Sequence, residues 1–424
     1  MRLSPSFCLL SLLAAAGSLL ACGDGGAAGS TPEPGPQPPN VLTADVQVRD
    51  DSPEVDGRDL TSLVDSNTAF ALDAFALLAA EAPGENVALG PYSISQAMAM
   101  LYAGARTHTA SELEGALRFE IPAERLHPTF NGLGLELLSR NGDVTLRIAN
   151  RVWTDTSFEP EPEFLDVLAR DYGAPLAVAD FAADPEMARR VINGWVHEVT
   201  EEKIKELFPI GTIDATTKLV LANAMYLDAP WKYQFDPDRT SKRGFTLLDG
   251  AEVEVDTMHY DEFLPSAWDE QWSAVELPYK GDELSMIVVV PEDLASFEAS
   301  LSPQVLADVL AAIEDGGIHL SMPRFTFSFH SSLVDLFKAL GAPSLFDGAD
   351  LSGLGAGGLA VSAIEHEAFI QVDEEGTKAA AATGVAVADS HGPTIQVNRP
   401  FLFFVVDRPT GSILFLGRVT DPRG

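Results

Sequence analysis

The sequence predicts one large α+β domain that follows a short N-terminal targeting and linker region. Helical periodicity dominates the first part of the chain, and strand patterns with helices between them dominate the later part. Helices first and strands afterwards is an order typical of α+β domains. Although about 360 residues could form two domains, no low-complexity break interrupts residues 61–424, which favours one domain.

The first 21 residues have the features of a bacterial lipoprotein signal peptide. Arg2 precedes an apolar stretch, residues 7–20, that is too short to span a bilayer as a permanent helix. The stretch ends in Leu-Leu-Ala-Cys22, which resembles the lipobox, the signal whose cysteine becomes the lipidated first residue of the mature chain. A plain secretory peptide with an incidental cysteine is the alternative. We therefore expect a secreted or cell-envelope protein, anchored by lipid at Cys22.

Residues 22–60 read as a disordered tether between this anchor and a domain spanning residues 61–424. The tether is rich in glycine, proline, serine, threonine and acidic residues, a composition that cannot form a core. Cys8 lies in the removed segment, so the mature chain keeps only Cys22. Disulfides within the domain and cysteine-based metal or nucleophile chemistry are therefore excluded.

The charge of the chain argues against polyanionic partners. Its 27 Lys and Arg residues against 63 Asp and Glu residues give a net charge of −36. Such a field repels nucleic acid, heparin-like polyanions and anionic lipid surfaces. We expect a monomer without cofactor or metal, which meets a membrane only through the lipid at Cys22.

An enzyme is the weaker functional class. The sequence contains no G-x-S-x-G, no H-E-x-x-H and no P-loop. Residues 353–358 match G-x-G-x-x-G, but no strand leads into them and a strand follows, so this match is not a dinucleotide site.

Apolar periodicity predicts the main elements in order. Helices are predicted at residues 67–80, 187–207 and 303–313, and strands at 146–153, 218–227, 275–277, 286–290, 318–327, 359–372, 394–407 and 412–419. Ser93 with Gln96, and Thr109 with Glu112, match the capping-box pattern of helix N-termini.

Residues 374–388 form an unusual run of small side chains. With period two, Thr377, Ala379 and Ala381 point one way, towards the interior if the run enters a sheet, and Lys378, the single internal charge, points outward. Composition alone also fits a flexible linker. Because predicted core strands bracket the run, we interpret it as a long exposed loop that has the pattern of a strand, and long loops inside compact domains are usually functional.

Several motifs, in one order, resemble the serpin family from about Thr61 to the C-terminus. They are NVALGPYSIS at residues 86–95, LANAMY at 221–226 followed by Trp231, ADLSG at 349–353 and NRPFLF at 398–403. Serpins are serine protease inhibitors of the metastable-loop type. The resemblance implies the serpin fold, in which a large mixed β-sheet, additional sheets and surrounding helices carry an exposed reactive-centre loop.

The resemblance identifies the small-residue run as that loop and its first part as the hinge. The hinge residues are Glu374, Gly376, Thr377, Ala379, Ala380, Ala381 and Ala382. In the implied suicide-substrate mechanism, a target serine protease cleaves the loop, is trapped as a covalent acyl-enzyme, and the severed loop inserts into the main sheet. A non-inhibitory serpin acting as a binding or carrier module is the alternative, and the small hinge residues favour inhibition.

The usual family spacing places the reactive bond between Ser390 and His391, with Asp389 and Ala388 as alternatives. The small apolar residues before this bond favour elastase- or subtilisin-like targets, and the absence of a basic residue disfavours trypsin-like ones.

Four further residues resemble the parts of the family that support sheet opening. Asn193 and His366 match a polar pair beneath the opening, with Ser93 nearby, and Trp231 matches the point where the loop enters. A satisfied core histidine and an ordinary core tryptophan are the alternatives for His366 and Trp231.

Overall fold

The structure is a computed structural model that describes residues 40–42, 49–140, 144–356, 358–377 and 393–424. These residues form helices and three β-sheets, which confirms the α+β class. The α-helices are α1 (Gly57–Glu81), α2 (Pro91–Tyr102), α3 (Thr107–Ala116), α4 (Ala123–Ser139), α5 (Pro162–Val167), α6 (Pro185–Val199), α7 (Leu294–Ser300), α8 (Pro303–Ala312) and α9 (Val334–Ala339).

Strands alternate with these helices along the chain. They are β1 (Asn40–Leu42), β2 (Val87–Leu89), β3 (Thr145–Asp155), β4 (Leu176–Ala179), β5 (Leu219–Pro230), β6 (Ser241–Thr246), β7 (Glu252–Phe263), β8 (Ser266–Trp268), β9 (Trp272–Pro278), β10 (Leu284–Pro291), β11 (Gly317–Pro323), β12 (Phe325–Ser332), β13 (Ala363–Val372), β14 (Gly376–Thr377), β15 (Thr394–Gln396), β16 (Phe401–Asp407) and β17 (Ile413–Val419).

The largest sheet has the order β1-β4-β3-β5-β13-β12, and the short strand β14 also pairs with β5. At its centre β5 runs antiparallel to β3 and parallel to β13. Helix α6 packs on β3 and β5. This central part of the sheet positions the candidate site.

Two further sheets and the remaining helices enclose the main core. One has the order β2-β17-β16-β10-β9-β8 and the other β15-β11-β7-β6. Strands β10, β16 and β17 are buried along their whole length, as expected for strands covered on both faces. Helix α1 is long and apolar enough to cross a membrane, but 61% of its most apolar window is buried, as in a core helix.

Three predicted elements are shorter than the apolar pattern indicated. The strand predicted at 318–327 divides at Arg324 into β11 and β12, and that at 394–407 divides into β15 and β16 before Pro400. The helix predicted at 187–207 ends at Val199. There Thr200 Oγ1 donates to the carbonyl of Val196 and accepts from the amide of Ile204, which favours a turn over another helical turn.

Both predicted capping boxes are wrong, because Ser93 and Thr109 lie inside α2 and α3 and bond to other parts of the fold. The Thr109 hydroxyl lies 3.1 Å from Ser344 Oγ and accepts from the amide of Asp350. Ser302 does cap a helix, since its hydroxyl accepts from the amide of Val305 at the start of α8.

The predicted tether at 22–60 extends too far, because residues 49–60 belong to the fold. Asp56 caps α1, which begins at Gly57. Arg49 Nε donates to Asn131 Oδ1 of α4 at 2.6 Å, and Asn131 Nδ2 donates to the carbonyl of Asp50. The acidic composition of this stretch predicted disorder, but these side chains cap and clamp helices. Cys22 and the signal segment lie outside the described residues.

Candidate functional site

A slot opens between the central strands β5 and β13. The two strands pair as parallel neighbours from Val220 with Ala363 up to Tyr226 with Phe369. Beyond this point β13 continues beside β12, and β5 pairs instead with β14, Gly376 facing Pro230 and Thr377 facing Ala229. In the closed part of the slot, β5 and β13 are therefore paired in parallel. At the open end, which we call the mouth, Gly376 and Thr377 run antiparallel to β5.

Thr377 and Glu374 of the predicted hinge are anchored at this mouth. Thr377 is 1% exposed, in agreement with the inward face that its alternation predicts, and its Oγ1 lies 2.7 Å from the hydroxyl of Tyr279. Glu374 Oε1 accepts from Thr240 Oγ1 at 2.5 Å, and its backbone carbonyl accepts from the amide of Phe235.

Position 376 requires glycine, because the backbone of the hinge lies very close to the backbone of β5 there. A Cβ at this position would lie 2.3 Å from the carbonyl oxygen of Ala229 and 2.5 Å from the Cα of Pro230. Because both are backbone atoms of β5, neither can move aside as a flexible side chain does. Glycine therefore allows the hinge to pair with β5.

The turn before Gly376 is held by Trp231 and by its own aspartate. Trp231 Nε1 donates to the carbonyl of Asp373, and the Trp231 amide donates to the carbonyl of Glu375, both at 2.9 Å. Asp373 Oδ1 accepts from the amides of Glu375 and Gly376. The structure thus places Trp231, which is 2% exposed, at the mouth of the slot.

A polar cluster crosses the three central strands below the mouth. In register, Asn150 of β3 faces Asn223 of β5, and Asn223 faces His366 of β13. His366 Nδ1 lies 2.5 Å from Asn223 Oδ1, and Asn223 Nδ2 donates to Asn150 Oδ1 and to Ser93 Oγ of α2. These side chains tie the strands that flank the slot to one another and to the helix beneath.

His366 is neutral in this cluster. Its Nε2 accepts from the amide of Gly90, so the proton lies on Nδ1 and is donated to Asn223. Burial lowers the pKa of His366 to about 3. At Gly90 itself a Cβ would lie 2.7 Å from Met225 Sδ, so a larger residue there would require this methionine side chain to shift.

The predicted pairing of Asn193 with His366 is wrong. Asn193 lies on α6, where its amide group bonds to the backbone N–H and carbonyl of Phe208 at 2.8 and 2.9 Å. Asn223 holds the predicted position beside His366. The sequence contained a signal for it, because Asn223 is a lone amide in the apolar run of β5, and a buried polar side chain requires a partner.

The segment after α6 spans the slot, which the sequence did not reveal. On one side Phe208 is bonded to Asn193, and on the other the carbonyl of Leu207 accepts from His330 Nε2 of β12 at 2.9 Å. His330 Nε2 also lies 3.1 Å from Glu365 of β13, and this carboxylate raises the pKa of His330. Residues 200–217, which we call the strap, thus cross from α6 to β12, and Leu207 and Phe208 pack in one core cluster with Ala222 of β5 and Ala363 of β13, over the closed part of the slot.

The remaining predicted site residues lie outside the described part of the chain. They are Lys378, Ala379, Ala380, Ala381, Ala382, Ala388, Asp389, Ser390 and His391.

Comparison with known proteins agrees with this geometry. The family model described as Serpin (serine protease inhibitor) matches residues 65–422. Leukocyte elastase inhibitor of Homo sapiens is 37% identical over 383 residues, covering 86% of this chain and 100% of its own length. An uncharacterized serpin-like protein of Methanosarcina mazei is 34% identical over 380 residues, covering 87% and 88%.

Solved structures show the same fold. The native state of tengpin, a thermophilic serpin, has a TM-score of 0.82 at 26% identity and covers 91% of this chain and 100% of its own. Human thyroxine-binding globulin complexed with its ligand has a TM-score of 0.81 at 28% identity, covering 86% and 100%. The chain therefore belongs to the serpin family, a family of protease inhibitors rather than of enzymes.

Proposed function

We propose that this protein inhibits serine proteases by a suicide-substrate mechanism that ends with loop insertion between β5 and β13. One observation carries the proposal: β14 already lies at the mouth of the slot, antiparallel to β5. This is the direction in which the rest of the loop would continue down the sheet.

The chemistry follows from this arrangement. The serine of the target protease attacks the carbonyl of the scissile residue, the amine half of the loop leaves, and the other half stays esterified to the protease. That half then extends β14 down the slot. One parallel contact between β5 and β13 is replaced by two antiparallel contacts, which are slightly more stable per residue. The strap must move aside as the strand passes.

The small residues of the hinge suit the leading end of this strand. Ala379, Ala380, Ala381 and Ala382 present no bulk or charge to a sheet that must open around them, and Lys378, which precedes them, lies on the face opposite Thr377 in the predicted alternation. The scissile bond is proposed at Ser390–His391, or one or two residues earlier, and the target as an elastase- or subtilisin-like protease. The similarity to leukocyte elastase inhibitor supports that target class.

The proposed location is the cell envelope or its exterior, with a lipid at Cys22 as anchor. The lipobox-like sequence before this cysteine supports the proposal. Metabolic labelling with a fatty acid tests it, since Cys22→Ala should abolish incorporation.

Titration of the domain against subtilisin, elastase and trypsin tests the inhibitory function. On a denaturing gel, subtilisin or elastase should give an SDS-stable adduct, and mass spectrometry of the released peptide identifies the scissile residue. Thr377→Arg should convert inhibition into plain cleavage, because it forces a charge into a site that is 1% exposed. Thr61→Arg, on the exposed face of α1, is the matched control. Cleavage without adduct by every protease would contradict the proposal.

A carrier function is the second candidate, because thyroxine-binding globulin shares the fold. The melting temperature separates the two functions. Insertion of a cleaved loop adds a strand and relieves stored strain, so the cleaved inhibitor should melt well above the intact one. Equal melting of the cleaved and intact forms would favour the carrier.

A further inference from the structure

Tyr279 brings a buried hydroxyl to the mouth of the slot. It lies between β9 and β10, is 0% exposed, and forms an isolated bridge with Trp231 at the end of β5. The rings of Tyr279 and Trp231 stack with centroids 4.6 Å apart and planes 11° apart. The phenol oxygen therefore points to a fixed place beneath the hinge.

At that place the phenol meets the first inserted side chain. Tyr279 Oη and Thr377 Oγ1 lie 2.7 Å apart, and both side chains are essentially inaccessible to water. Within the described residues this is the hydrogen bond that the structure gives to the Tyr279 hydroxyl. If Thr377 left the sheet, a buried phenol would lose its partner, which is an unfavourable state.

Ring packing alone does not require this hydroxyl, since phenylalanine would stack on Trp231 equally well. The opposite side of the hinge turn is held by the Trp231 indole, which donates to the carbonyl of Asp373. In the stacked pair, Trp231 thus contacts the hinge turn at Asp373, and Tyr279 contacts Thr377, the first residue to insert.

We propose that Tyr279 is a positioning residue for loop insertion: its hydroxyl selects a hydroxyl side chain at position 377 and holds the hinge in the sheet before any protease arrives. The inference rests on the proposed inhibitory function, because insertion is the step that it assists. It also explains in chemical terms why threonine, rather than another alanine, opens the small-residue run.

The test uses four variants of the intact protein: Tyr279→Phe, Thr377→Val, the double variant and Thr377→Ser. Hydrogen–deuterium exchange of residues 373–377 reports hinge opening without any protease. Each of the first two variants should exchange about three- to tenfold faster there, the factor that one net hydrogen bond supplies. The double variant should be no faster than either single one, and Thr377→Ser should restore slow exchange. Across these variants, the stoichiometry of inhibition should rise as the exchange rate of the hinge rises.

Two results would overturn the inference: single effects that multiply in the double variant, or a serine variant that opens as readily as the valine variant. If Tyr279→Phe fails to fold, the valine and serine pair still decides the question. If the proposed inhibitory function were wrong, the result would differ. The variants would then show the predicted exchange pattern, but the wild type would form no SDS-stable adduct with a protease. If the adduct formed but hinge exchange were equal in all four variants, the role of Tyr279 would be refuted and the inhibitory function would not.

Discussion

Substituting Asn223 by alanine tests whether the polar cluster holds the slot closed. The change removes hydrogen bonds to His366, Ser93 and Asn150 at 2.5 to 2.7 Å, in a place that is 0% exposed. It leaves the Nδ1–H of His366 buried without its acceptor, which costs about 2 kcal/mol. The lost bonds to Ser93 and Asn150 together add about 1 kcal/mol, because Ser93 Oγ still donates to Asn150 Oδ1. The free energy of unfolding should therefore fall by about 3 kcal/mol.

A double-mutant cycle separates this partnership from general destabilisation. Asn223→Ala, His366→Ala and the double variant are unfolded in urea, and the coupling energy is calculated from the three losses of stability. We expect a coupling of at least about 1 kcal/mol, because the two side chains share a direct hydrogen bond.

Asn193→Ala provides the matched control in a second cycle with His366→Ala. Asn193 bonds to the backbone of Phe208 and shares no hydrogen-bond partner with His366. Its coupling to His366 should therefore stay within about 0.5 kcal/mol. A coupling near zero for Asn223, or a large one for Asn193, would refute our assignment of the cluster.

Three further predictions concern the hinge, acid stability and the N-terminal segment. Gly376→Ala should expel the hinge, because its Cβ meets backbone atoms of β5, and raise hydrogen exchange at 373–377 by about tenfold or more. Burial lowers the pKa of His366 to about 3 and that of His127 to about 4, so the unfolded chain binds these protons more readily below pH 6.5. Urea unfolding should therefore show full stability above pH 6.5 and, by pH 5, a loss of about 2 kcal/mol from each histidine. Arg49→Ala should lower the unfolding free energy by about 1–2 kcal/mol through its bond to Asn131.

Each of these predictions has a control within the chain. Gly115→Ala lies on α3 with open space around the new Cβ and should leave hinge exchange unchanged. His127→Gln should remove about half of the loss of stability in acid and leave the part due to His366, and an equally steep loss would contradict the titration argument. Arg58→Ala removes an exposed arginine that pairs with Asp56, so it should leave the stability essentially unchanged. An equal effect of Arg49→Ala and Arg58→Ala on stability would contradict the stabilising role of the Arg49–Asn131 bond.

Sequence patterns sufficed for the α+β class and for the strands that flank the slot. β5 is a long apolar run, and β3 and β13 mix apolar with charged and amide residues, yet all three strands were predicted to within a few residues. The inward face of Thr377 was also predictable, because alternation along a strand is strictly twofold.

What sequence could not supply was the pairing of side chains across strands. Asn193 and Asn223 are the same residue type, and the register of β5 with β13 is what places Asn223 beside His366. Tyr279 was missed for the same reason, since it is distant in sequence from Thr377 and joins the hinge through a separate sheet. The first part of the strap, residues 200–207, was predicted as helix because its apolar residues continue the apolar period of α6.

The attachment of the N-terminal segment has a mechanical consequence. β1 forms the outer edge of the main sheet through three residue pairs with β4, and Arg49 then grips α4. A pulling force on the chain before Asn40 would act first on the β1–β4 pairs and then on the bond of Arg49 to α4, before it reached α1. The β1–β4 pairs and the Arg49 bond would therefore take up such a force at the edge of the main sheet and on α4, and not at the slot.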